Sequence, residues 1–167
     1  MACISLVILS LLAFASSTQG RKISFKACES PAGKLVELDL EPCEEEPCTF
    51  HKGSNETCKA TFVPNELVSS ATIEVFGIIG GVQVPFPLKN PNVCENHGVK
   101  CPINAGDSAT LDLNIYVSNL YPSLKLIIKF ELKGGDNKLV FCGEFSAQIK
   151  SKADNGKRSI EEGIVVF

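Results

Sequence analysis

From Ile23 onward, apolar and polar side chains of this chain alternate with a period of two, and the 3.6-residue period of a helix is almost absent. Ile23-Ser24-Phe25-Lys26-Ala27 alternates, and Leu35 to Leu40 does so again before Pro42. The same period runs through Thr57–Val63, Ala71–Ile79, Leu111–Val117, Leu124–Leu132 and Leu139–Ile149. Gly, Pro, Asn and Asp punctuate these stretches, as in Lys133-Gly134-Gly135-Asp136-Asn137. A period of two gives each strand one apolar face, and that face must be buried against another layer. Seven or eight such strands predict an all-β, two-sheet antiparallel sandwich, ending near Lys150. Residues 151–163 are polar and turn-rich, so residues 151–167 are expected to form a loose tail.

The first twenty residues carry a different signal. Leu6 to Ala15 is apolar apart from Ser10, too short to span a bilayer as a helix. The small, polar Ser16-Ser17-Thr18-Gln19-Gly20 follows, which is the form of a secretory signal peptide over residues 1–20, cleaved near Gly20–Arg21. The remainder, with residues 21–150 as its body, is one domain of ordinary size. Its expected setting is extracellular, with the lysosomal lumen as the other possibility, and its expected state is a monomer. The formal net charge of −3 lies wholly beyond the leader, and Lys and Arg are scattered, so nothing points to nucleic acid.

Of eight cysteines, seven lie beyond the leader, and an oxidising compartment makes them disulfide candidates first. Spacing suggests local pairs Cys43–Cys48 and Cys94–Cys101, with Cys28 and Cys142 left for a long-range staple. Spacing alone does not fix that connectivity. Cys58 alternates with Ala60 and Phe62 on an inward face, which suits a buried, inert free thiol. Cys43-x4-Cys48-x2-His51 and Cys94-x2-His97-x3-Cys101 offer zinc-like spacing, but neither has a second matched Cys pair, so no metal is expected.

Catalytic patterns are missing from the sequence. His51 and His97 are the two histidines, and neither accompanies a Gly-x-Ser-x-Gly elbow, a phosphate-cradling glycine loop or a His-Glu-x-x-His helix. Glu44-Glu45-Glu46 reads as a solvated turn rather than a carboxylate pair. The expectation is a protein that is not an enzyme and needs no cofactor. Asn55-Glu56-Thr57 is the sole N-glycosylation sequon, placed in a turn between strands.

One segment exceeds what a plain sandwich requires. Residues 76–88 are apolar almost throughout, yet Gly80-Gly81, Pro85 and Pro87 suggest that much of the stretch is irregular. Such a segment either plugs the core or forms an exposed binding patch. Tyr121-Pro122, between two strands, either caps a turn or sets an amphipathic phenol at a rim.

Phe25-Lys26-x-Cys28, Pro42-Cys43-x4-Cys48, Lys52-Gly53, Gly77-Ile78, Val84-Pro85-Phe86-Pro87, Cys101-Pro102-Ile103, Tyr121-Pro122-Ser123-Leu124-Lys125 and Phe141-Cys142-x-Glu144 occur in that order. Together they resemble the ML lipid-recognition domain family, in particular its soluble Niemann–Pick type C sterol-transfer branch. The resemblance implies an immunoglobulin-like sandwich with Cys28–Cys142, Cys43–Cys48 and Cys94–Cys101 bridged. It also implies a hydrophobic tunnel between the sheets, lined by residues matching Phe86, Val117 and Tyr121. The apolar stretch Gly77, Ile78, Ile79 and Val82, continued by Val84 and Pro85, would be the portal that meets a membrane or a membrane-bound sterol acceptor. The implied ligand is a sterol, with fatty acids, chemosensory lipids or microbial lipid in innate immunity as alternatives. Three departures bear on the ligand, one of them a tail beyond Lys150 longer than the family pattern. Gln83 places an amide beside the portal, and Gly143 stands where the branch carries tryptophan, which predicts a larger or reshaped cavity.

Overall fold

The computed structural model describes residues 20–152, so the leader and the tail from 153 onward lie outside the described residues. Ten strands and no α-helix occur among them. They are β1 (Arg21–Lys22), β2 (Lys26–Ala27), β3 (Gly33–Glu41), β4 (Cys48–His51), β5 (Asn55–Pro64), β6 (Ala71–Ile79), β7 (Val82–Phe86), β8 (Ala109–Tyr116), β9 (Leu124–Gly134) and β10 (Leu139–Lys150). One sheet has the order β1-β3-β5-β8, and the other the order β2-β10-β9-β6-β7, with β4 also on β10.

The alternation is converted directly into layers. Leu38, Leu40, Cys58, Ala60, Phe62, Leu111 and Leu113 of the first sheet are buried, as are Ile73, Val75, Phe130, Leu132, Phe145 and Ala147 of the second. Between them lie the outward, polar members of each strand. Val36 breaks the rule and is half exposed, because a bulge between Leu35 and Glu37 adds one residue to β3 opposite β5.

Three local structures differ from the sequence reading. Ile23–Ala27 is not one strand: Arg21–Lys22 pairs with β3 and Lys26–Ala27 pairs with β10, so the segment crosses from one sheet to the other. Strand β4 runs parallel to β10, whereas every other pair of strands is antiparallel. A parallel pair needs a long crossover, and the chain between these two strands supplies it. Finally, residues 76–86 form a regular hairpin rather than an irregular connection. Ile79 pairs with Val82 across Gly80-Gly81, whose φ values of +57° and +84° are those of a two-residue turn matched to strand twist. Pro85 is tolerated because β7 is an edge strand with β6 as its one neighbour.

Disulfides join Cys28 to Cys142, Cys43 to Cys48 and Cys94 to Cys101. The first ties the segment after β2 to β10 across 114 residues of chain. In the chain-entropy model such a closure contributes about 4–5 kcal/mol. Cys58 remains a buried free thiol, and burial pushes its pKa well above the ordinary thiol value, so it stays protonated.

Candidate binding cavity

The two ends of the sandwich are filled differently. At one end Phe62 and Phe141 meet with ring centroids 5.2 Å apart, and Leu132 and Val140 close the space around them. The middle holds Phe130 stacked on Phe145 at 5.7 Å, with Phe50 edge-on to Phe145 at 6.5 Å. At the far end the space between the sheets is lined mainly by aliphatic side chains. There β6 contributes Gly77, which has no side chain, and β7, β8, β9 and β10 contribute branched aliphatics.

The result is a cavity of about 240 Å³. Phe50 and Ile149 form its inner wall, Val75, Gly77, Ile128 and Leu126 one sheet face, and Ile115 and Val117 the other. Its mouth is framed by Ile79, Val84, Pro85 and Phe86 of the hairpin and by Tyr121, Pro122 and Leu124. Tyr121 carries the one polar side chain among these residues. Its ring lies 5.8 Å from that of Phe86, with the planes tilted by 59°, so the two rings close the side of the cavity.

Backbone contacts fix the segment that carries Val117 and Tyr121. Gly53 N donates to Val117 O at 2.7 Å, and Val117 N donates to Ser54 O at 2.9 Å. Gly53 has a φ of +73°, and a Cβ there would lie 2.8 Å from Asn119 Oδ1, so this clamp requires glycine twice over. Below it lies Glu56, buried although charged residues seldom are. Ser54 Oγ sits 2.5 Å from His51 O and 2.7 Å from Glu56 Oε1. One hydroxyl proton serves one acceptor at a time, so both contacts are met when the carboxyl is protonated. Burial favours that form by raising the Glu56 pKa, against opposing contributions from Ser54 and the His51 backbone.

Phe86, Val117 and Tyr121 therefore come together on one cavity, along with Gly77, Ile79, Val84 and Pro85. Ile78 does not join them. It faces the opposite side of the sheet, in a groove shared with Lys26, Lys125 and Ile127. Val82 sits at the hairpin tip, 65% exposed and outside the cavity. Gln83 pairs with Ile78 and shares its outward face, so its amide is not part of the cavity wall. Gly143 also corrects the reading. It is buried beneath Leu35, where an added Cβ would lie 2.5 Å from Leu35 Cδ2, and it does not line the cavity. The missing bulk is made up by Leu35 from the facing sheet, with Phe25 beside it. Sequence reasoning missed Phe50, Val75, Ile115, Leu126, Ile128 and Ile149, for which alternation gave inward orientation but not position along the sandwich.

The stretches with zinc-like spacing are accounted for. Their four cysteines are in disulfides, and both His97 ring nitrogens lie against backbone oxygens, of Asp112 at 3.0 Å and Asn90 at 2.9 Å. Among the described residues, no group of three or more His, Cys, Asp or Glu could hold a metal ion, and no helix is long and apolar enough to cross a membrane.

A family model described as the ML domain matches residues 22–149, which spans both sheets and the cavity. The chain belongs to the ML domain family. Among its relatives is the NPC intracellular cholesterol transporter 2 of Canis lupus familiaris, 36% identical over 140 residues, covering 84% of this chain and 93% of that protein. The protein of the same name from Mus musculus is 34% identical over 141 residues, covering 84% of this chain and 94% of its own. A crystal structure of a Niemann-Pick type C2 protein from Japanese carpenter ant superposes with a TM-score of 0.73 at 30% identity, covering 77% of this chain and 100% of that one. This ML chain thus shares its fold across nearly the whole length of its relatives.

Proposed function

We propose that this ML protein is a non-enzymatic carrier that holds a sterol in the cavity between its sheets and passes it between membranes or to a membrane-bound acceptor. The observation that carries the proposal is the cavity wall, apolar from both sheets and relieved only by the Tyr121 hydroxyl. The relatives named as cholesterol transporters support the choice of a sterol. Hiding ~300 Å² of lipid surface at about 25 cal/mol per Å² gives roughly 7 kcal/mol without a polar anchor, so shape selects the ligand. Ligand pockets usually enclose roughly 300–1,000 Å³. At about 240 Å³ this cavity is smaller, so a bound sterol requires the side chains of its wall to move apart. The exposed Ile79, Val82 and Val84 give the mouth an apolar rim for contact with a membrane. Delivery to the secretory route, and from there to the outside or to the lysosome, rests on the leader.

Titration of the purified protein with a fluorescent sterol tests this. Saturable binding is expected, weakened about tenfold by Phe86→Ala if the ring contributes ~60 Å² of contact. Binding that does not saturate, or that ignores both Phe86→Ala and Tyr121→Ala, would overturn the proposal. Displacement by oleate rather than by cholesterol would assign the cavity to fatty acids instead.

A further inference from the structure

Strand β8 is the edge of its sheet; the loop at His97 covers its middle, where Asp112 N donates to His97 O at 2.9 Å, and Asn114 and Tyr116 lie beyond that contact. The outer face at that edge is built in an unusual way. The register sets Asn55 directly opposite Tyr116, and Thr57 opposite Asn114. Opposed residues share a face with their Cβ atoms about 5 Å apart. Glu56 and Ile115 between them are buried, so Asn55, Thr57, Asn114 and Tyr116 all face outward. Tyr116 is 51% exposed, an aromatic ring whose neighbours on this face are Asn55, Thr57, Asn114 and Asp112. Asn55, Asn96, Asn114, Tyr116 and Ser118 also line one side of a cleft of about 480 Å³ along this edge, with Phe86, Leu88 and Tyr121 on its other side. Amides and hydroxyls around one exposed ring are the groups that bind sugars, through hydrogen bonds to hydroxyls and packing of the sugar's C–H face on the ring.

We propose that Asn55, within the sequon Asn55-Glu56-Thr57, carries an N-linked glycan whose first sugar stacks on Tyr116 and covers the edge of β8. The donor is a lipid-linked oligosaccharide diphosphate of the secretory compartment. A bond forms between the sugar's anomeric carbon and Asn55 Nδ2, while the anomeric carbon–oxygen bond to the diphosphate breaks. The diphosphate leaves with that electron pair, and one amide proton is released. Exposure of Asn55 at the start of β5 lets the folded chain keep the glycan without rearrangement. This cleft lies on the other side of the Phe86–Tyr121 pair from the lipid cavity, since both rings line both spaces.

The full chain, leader included, is secreted from insect cells and weighed intact. One glycan is expected, absent from Asn55→Gln. Thermal melts then compare protein trimmed to a single sugar with Asn55→Gln. The single sugar should raise Tm by about 2–4 °C, the shift produced by one aromatic contact in a domain of this size. Tyr116→Ala should abolish that difference and Tyr116→Phe should retain it, and the unglycosylated protein should self-associate at lower concentration. An unoccupied Asn55 in the secreted protein would overturn the proposal, as would an equal Tm difference in the wild type and Tyr116→Ala. Neither result depends on which lipid the cavity holds.

Discussion

Gly77→Val separates the cavity from the fold. Gly77 faces inward on β6, between Ile128 of β9 and Val84 of β7, and its backbone is ordinary strand. A Cβ built there meets Leu126 Cδ1 at 3.1 Å, the flexible end of a side chain that can give way. Valine adds three carbon atoms. At roughly a water's 30 Å³ each, they take ~90 Å³, over a third of the 240 Å³ cavity. A ligand excluded from that volume loses ~60–80 Å² of contact, which at about 25 cal/mol per Å² is ~1.5–2 kcal/mol, or 10–30-fold in affinity. The fold should not suffer, because glycine in a strand interior costs about 0.5–1 kcal/mol and a β-branched residue suits the position. Fluorescent-sterol titration and thermal melting on the same samples decide the matter. Weaker binding is expected with Tm unchanged or raised by a few degrees. A folded Gly77→Val protein that binds as the wild type does would refute the placement of the ligand.

Further outcomes follow from the same packing. Gly143→Ala should cost about 1–3 kcal/mol in urea unfolding, since its methyl would press on Leu35 Cδ2 from 2.5 Å; an unchanged midpoint would mean that Leu35 moves freely. Replacing Cys28 and Cys142 together by alanine should remove about 4–5 kcal/mol, whereas replacing Cys43 and Cys48 together should remove only about 2–3. Equal losses would show that loop length does not govern the effect. Burial raises the Glu56 pKa above its ordinary 4.5, so the folded state holds the proton more tightly than the unfolded chain does. The stability linked to Glu56 is therefore complete below about pH 4.5 and is lost as pH rises through the folded value. Glu56→Gln keeps the neutral form throughout. Its stability relative to the wild type should grow between pH 4 and 7, and parallel curves for the two proteins would refute this reading.

Alternation along the chain determined the all-β class and the buried face of most strands, because a residue's inward or outward direction depends only on its parity within a strand. Leu38, Cys58, Phe62, Ile73 and Phe130 could be assigned to the core on that ground alone. Segment resemblance added Phe86, Val117 and Tyr121, which the structure sets around one cavity. What lay beyond the sequence was position along and between the sheets. Parity cannot say that Gly77 and Ile149 line one cavity while Phe62 and Phe141 meet elsewhere, since those encounters depend on register between strands far apart in sequence. Nor can it say that Leu35 fills the space above Gly143 or that Ser54 and Gly53 clamp Val117. Alternation dictates that apolar faces must be hidden; where the hiding is incomplete follows from packing between distant elements, because a cavity is a property of what neighbouring elements fail to fill.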